Sequence, residues 1–169
     1  MILKINGSVK PYYIQTLSMI FFPGVKFPED EEETPDTLKA TLDMTESETE
    51  VSAEVTISQG EKSCSAHESV KKGSHDDEKT RKIAAGSAFM KAGVIFTGFT
   101  PPWGILTGVR PAKVATELME NGRTPEEAAE EIERDYFVSP VKAKLAADVS
   151  VAEKKLITDS VRKECSVYI

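Results

Sequence analysis

Residues 2–6, Ile-Leu-Lys-Ile-Asn, form a short apolar run stopped by Gly7 and Ser8, and they predict a strand. Tyr13, Ile14, Leu17, Ile20 and Phe21 then recur at i, i+1, i+4, i+7 and i+8, one face of a helix that Pro23 and Gly24 must end. Past an acidic tract the period changes to two. Leu38, Ala40, Leu42 and Met44 alternate with Thr37, Lys39, Thr41 and Asp43, and Val51, Ala53, Val55 and Ile57 repeat the alternation. Cys64, Ala66 and Val70 carry it more weakly. Polar turns at Thr-Glu-Ser-Glu-Thr-Glu (45–50) and Ser-Gln-Gly-Glu (58–61) join these three half-buried strands, so the simplest arrangement is an antiparallel meander.

The break at 71–79, Lys-Lys-Gly-Ser-His-Asp-Asp-Glu-Lys, doubles as a helix start. Ser74 or Asp76 can cap, and Asp77 and Glu78 occupy the first turn, where the helix dipole favours negative charge. The helix runs from about 77 to Thr97 with Ile83, Met90 and Val94 inward. Gly86 and Gly93 inside it each cost about 1 kcal/mol relative to alanine, which predicts close packing against the sheet at both. A β-α-β-β-β-α unit over residues 1–100 results.

Residues 101–160 read as a helical segment. Pro111 suits a first helical turn, followed by a stripe of Val114, Ala115, Leu118 and Met119 and a stop at Gly122. Thr124, Pro125 and Glu127 have the spacing of a capping box, ahead of Ala128, Ile132 and Tyr136 at i, i+4 and i+8. Ser139-Pro140 starts a last helix to about residue 158, carrying Val141, Leu145, Val149 and Leu156. Residues 161–169, ending Glu-Cys-Ser-Val-Tyr-Ile, read as the start of a strand that the end of the chain interrupts. The fold class is therefore α+β, with three helices behind the sheet unit.

Composition narrows the function classes. The chain has 169 residues, 40% hydrophobic and 29% charged, as in a globular protein with a real core. Its formal net charge of -7 argues against general binding to nucleic acid or an anionic membrane, since both need a positive field. Part of that charge is local, in the solvated linker Pro-Glu-Asp-Glu-Glu-Glu-Thr-Pro-Asp at 28–36. The N-terminus lacks the pattern of a secretory signal, and the apolar stretch around Ala92 to Phe99 is short of the ~20 residues that span a bilayer. A cytoplasmic location is expected.

Candidate chemistry is sparse. Cys64 and Cys165 have no partner at metal-ligand spacing, and His67 and His75 have none for a metal or a triad. The Gly-Ser-His-Asp-Asp-Glu run at 73–78 lacks calcium-loop spacing. Composition and spacing thus give no catalytic, cofactor or metal site. One bend stands out, at 101–113. Trp103 is read as its anchor, because an indole buries a large area and Pro101 and Pro102 hold the backbone extended. Gly104 and Gly108 allow a backbone path closed to other residues, and Arg110, Pro111 and Lys113 stand at the positive end of a helix. Two readings of Arg110 stay open: an ion pair with a neighbouring helix, through Glu131 or Glu133, or contact with an anion or another domain.

These residues also carry a resemblance. Trp-Gly-Ile-Leu-Thr-Gly-Val-Arg-Pro-Ala-Lys at 103–113, the helix ending Glu-Asn-Gly, the run from Thr124 to Leu145 and the terminal Ser-Val-Tyr-Ile resemble the N-terminal region of HemZ-type coproporphyrinogen dehydrogenases. Those are bacterial relatives of oxygen-independent coproporphyrinogen III oxidase in the radical SAM superfamily. The resemblance implies an N-terminal accessory domain in porphyrin and heme biosynthesis, inactive by itself, whose partner is the radical SAM barrel of the same polypeptide. In that family a strand like Ser-Val-Tyr-Ile leads into a Cys-x3-Cys-x2-Cys motif, which holds a [4Fe–4S] cluster that cleaves S-adenosylmethionine. Neither Cys64 nor Cys165 matches a ligand of that motif, so both cofactors are implied for the parent protein alone. Arg110 is a candidate guide for the propionates of a porphyrinogen substrate. The alternative is a stand-alone RNA- or anion-binding module using Arg110 and Lys113.

Overall fold

A computed structural model describes residues 1–28, 32–73 and 75–156, in two compact units, Met1–Thr107 and Gly108–Ile169. The expected strand at 161–169, with Cys165, lies outside the described residues, as does Ser74.

The first unit runs β1 (Ile2–Asn6), α1 (Pro11–Phe21), β2 (Lys39–Glu46), β3 (Glu50–Gln59), β4 (Lys62–Lys71) and α2 (Asp77–Thr97). The strands form one sheet in the order β1-β2-β3-β4. The predicted meander β2-β3-β4 is antiparallel, and β1 lies parallel to β2 because α1 carries the chain back between them. Register follows the buried positions. Leu42 pairs with Val55 and Val55 with Ala66, while Val51, Ala53, Val55 and Ile57 are all buried on one face. A slip of one residue would turn that whole set to water.

Helix α2 covers the sheet over β3 and β4 and packs beside α1, so its middle is buried almost all round. That placement hides Phe89, the largest fully buried side chain among the described residues, which the inward face Ile83-Met90-Val94 did not include; Val94 is only half-buried. Asp76 is the cap, its Oδ1 accepting from the Lys79 N–H at 2.8 Å. The expected reason for Gly86 and Gly93 needs correction. A methyl group at Gly93 would lie 2.6–2.7 Å from carbons of the Phe21 ring, and one at Gly86 would meet the Tyr13 hydroxyl and Ile105 Cδ1. The close approach is thus to α1 and Ile105 rather than to the sheet.

Glu46 ties the end of β2 to α2 and to the turn that follows β4. It accepts from Arg81 Nε at 2.9 Å and Nη2 at 3.0 Å, and its Oε1 lies 2.5 Å from Lys72 Nζ. The Arg81 and then the Lys72 hydrogen bonds hold its carboxyl down from 4.5 to about 2. A depressed folded-state value stabilises the fold above the unfolded value and is lost as pH falls through the folded one. Glu46→Gln is therefore expected to flatten the fall of melting temperature between pH 4.5 and 2, measured as a pH series against wild type. Parallel series would show that this contact does not stabilise the fold.

The second unit contains α3 (Pro111–Glu120), α4 (Pro125–Tyr136) and α5 (Pro140–Leu156). The capping box forms as read: the Glu127 N–H donates to Thr124 Oγ1 at 3.1 Å and the Thr124 N–H to Glu127 Oε2 at 2.8 Å. Ala128, Ile132 and Tyr136 are buried at the spacing expected. Helix α5 departs from its expected stripe. It buries Ala143, Ala146, Ala147 and Ser150, and it leaves Val141, Leu145, Val149 and Leu156 exposed. Both faces of α5 carry apolar residues, and the small ones let its backbone come close to α3 and α4.

Candidate functional site

The bend divides between the two units. In the first, the Gly104 N–H donates to Pro101 O and the Leu106 N–H to Trp103 O, each at 3.1 Å, which closes two successive turns. Gly104 sits at φ +53, a conformation that glycine takes at little cost. Trp103, the expected anchor, is half-buried. Ile105 is buried in the turn together with Pro101 and Gly104, and its Cδ1 would lie 3.1 Å from a Cβ at Gly86. An aliphatic residue between two glycines was the only signal for it. Its weight is invisible without the partner glycine on α2.

In the second unit, Gly108 lies at φ +71 and Arg110 is the N-cap residue of α3. The Arg110 side chain makes no capping bond, and Pro111 brings no N–H to the first turn. Arg110 and Lys113 line one edge of a groove of about 200 Å3 between α3 and α5, with Lys154, Glu120 and Glu153. Thr116 and Ser150 also line it. The Thr116 hydroxyl donates to Ala112 O at 2.9 Å and lies 2.6 Å from the Ser150 hydroxyl. With the Thr116 proton so committed, Ser150 is the donor to Thr116, and neither hydroxyl proton is left over for a ligand.

Arg110 Nη1 lies 3.5 Å from Glu153 Oε1 of α5. The expected partners were Glu131 and Glu133. Glu131 instead holds Arg123 Nε at 3.0 Å, because α5 rather than α4 faces the start of α3 in this groove. The Arg110 side chain is 76% exposed, so its ion pair is worth less than about 1 kcal/mol. Arg110→Ala is expected to lower the melting temperature by no more than about 2–4 °C. A calorimetric drop well beyond that would make the pair a structural clamp.

Cys64 is half-buried on β4, and its thiol donates to Ala92 O at 3.3 Å. Burial pushes this thiol above its usual range, which keeps it protonated rather than a metal-binding thiolate. Among the described residues, no three His, Cys, Asp or Glu side chains are grouped to hold a metal ion. No helix among them is long and apolar enough to cross a membrane. The residues described therefore do not fit a [4Fe–4S] cluster.

No family model and no solved structure matches the chain. Over 75 residues, 43% of its length, it is 35% identical to the oxygen-independent coproporphyrinogen-III oxidase-like protein HemZ of Bacillus subtilis (strain 168). The match covers 15% of that relative's length. Over that stretch the chain is a partial homologue of HemZ.

Proposed function

We propose that this chain is the N-terminal accessory domain of an oxygen-independent coproporphyrinogen-III oxidase-like radical SAM protein in porphyrin and heme biosynthesis, and that it is not catalytic by itself. The 75-residue match to HemZ carries this reading. That match takes in only 15% of the relative, the proportion suited to one domain of a larger enzyme. In this reading the cluster and S-adenosylmethionine belong to the rest of the polypeptide, in keeping with the lack of a group of three metal-ligating side chains among the described residues. The alternative of a stand-alone RNA- or anion-binding module is disfavoured by the net charge of -7 and by the carboxylates of Glu120 and Glu153 beside Arg110 and Lys113.

The test begins with the gene downstream of Ile169, where three clustered cysteines are expected. The longest polypeptide encoded is then reconstituted anaerobically beside residues 1–169. The long form should take up one [4Fe–4S] cluster and cleave S-adenosylmethionine, and residues 1–169 should do neither. A stop codon after Ile169, or a stoichiometric cluster in residues 1–169, would sink the reading.

A further inference from the structure

Val141, Leu145, Val149 and Leu156 are 78%, 44%, 39% and 76% exposed. At 100° per residue these positions fall within an arc of about 80°, a single strip running most of the length of α5. The opposite face of the helix, Ala143, Ala146, Ala147 and Ser150, is buried within the unit, so the strip has no part in that core. Lys144, Asp148 and Lys155 border it on one side, the first two as an i,i+4 pair at 3.6 Å. The four side chains of the strip itself carry no charge or hydrogen-bonding group, so the surface that fits it is apolar.

The strip is small, about 22 Å long and one helix, about 10 Å, wide. That is well short of the ~800 Å2 per partner on which stable free association rests. A tethered partner needs far less, because a linker of ordinary length supplies a millimolar effective concentration. The size of the strip thus favours an occupant on the same polypeptide over a second copy. We infer that the Val141-Leu145-Val149-Leu156 face of α5 seats this domain against an apolar surface of the remaining, catalytic part of its polypeptide. This rests on the accessory-domain reading above.

The test compares Leu145→Glu/Val149→Glu with wild type in residues 1–169 and in the longest polypeptide that the gene encodes. In residues 1–169 both should be monomers with melting temperatures within about 2 °C, as for exposed positions. In the long form, the variant should be cleaved by a dilute protease at the domain junction about tenfold faster, with Leu145→Ile/Val149→Ile behaving as wild type. Cluster loading of the long form is read separately. A long form that loads its cluster but is cleaved no faster when it carries the two glutamates would overturn the docking surface and leave the function standing. A long form that loads no cluster would overturn the function and this inference with it. Self-association of residues 1–169 that the glutamates abolish would make a second copy the occupant, against the inference.

Discussion

Gly93→Ala should destabilise the chain by about 1–2 kcal/mol, although helix propensity alone predicts a gain of about 1 kcal/mol from the same change. The added methyl would lie 2.6–2.7 Å from three carbons of the Phe21 ring, where carbon contacts normally sit at about 3.5–4.0 Å. The ring has little freedom to withdraw. Its centroid is 6.3 Å from that of Phe89 and 6.5 Å from that of Phe99, and Phe89 is fully buried. Gly93→Val should cost more. Phe21→Leu in the Gly93→Ala background should recover part of the loss, because the smaller side chain vacates the space the methyl needs. Urea unfolding of the two single variants and the double variant measures this coupling. A higher melting temperature for Gly93→Ala would show that α1 gives way at no cost.

Ala146→Leu should destabilise α5 by about 1–3 kcal/mol or more, while Leu145→Ala in residues 1–169 should stay within about 0.5 kcal/mol. Ala146 is 2% exposed in the unit core, and three extra carbons there force the packed helices apart. Leu145, its immediate neighbour, is on the open side. Thermal melts followed by circular dichroism would rank the two. The opposite order would mean that α5 packs through the branched strip that its sequence pattern suggests.

Local rules made much of this fold legible in the sequence. Alternation over β2 and β3 put Ala40, Leu42, Val51, Ala53, Val55 and Ile57 inside, and they are buried. Proline at a first turn and the Thr124–Glu127 box placed the helix starts, since both signals act within a few residues. The parallel pairing of β1, the Phe21 ring over Gly93, the burial of Ile105 and the partner of Arg110 each depend on residues far apart in the chain. Helix α5 marks the limit most clearly. Periodicity counted the branched residues and pointed to Val141, Leu145 and Val149, but close approach of backbones rewards small side chains, and the face of Ala143, Ala146 and Ala147 went inside. An isolated helix with two apolar faces specifies neither one. The surface it packs against decides, and only the tertiary structure supplies that surface.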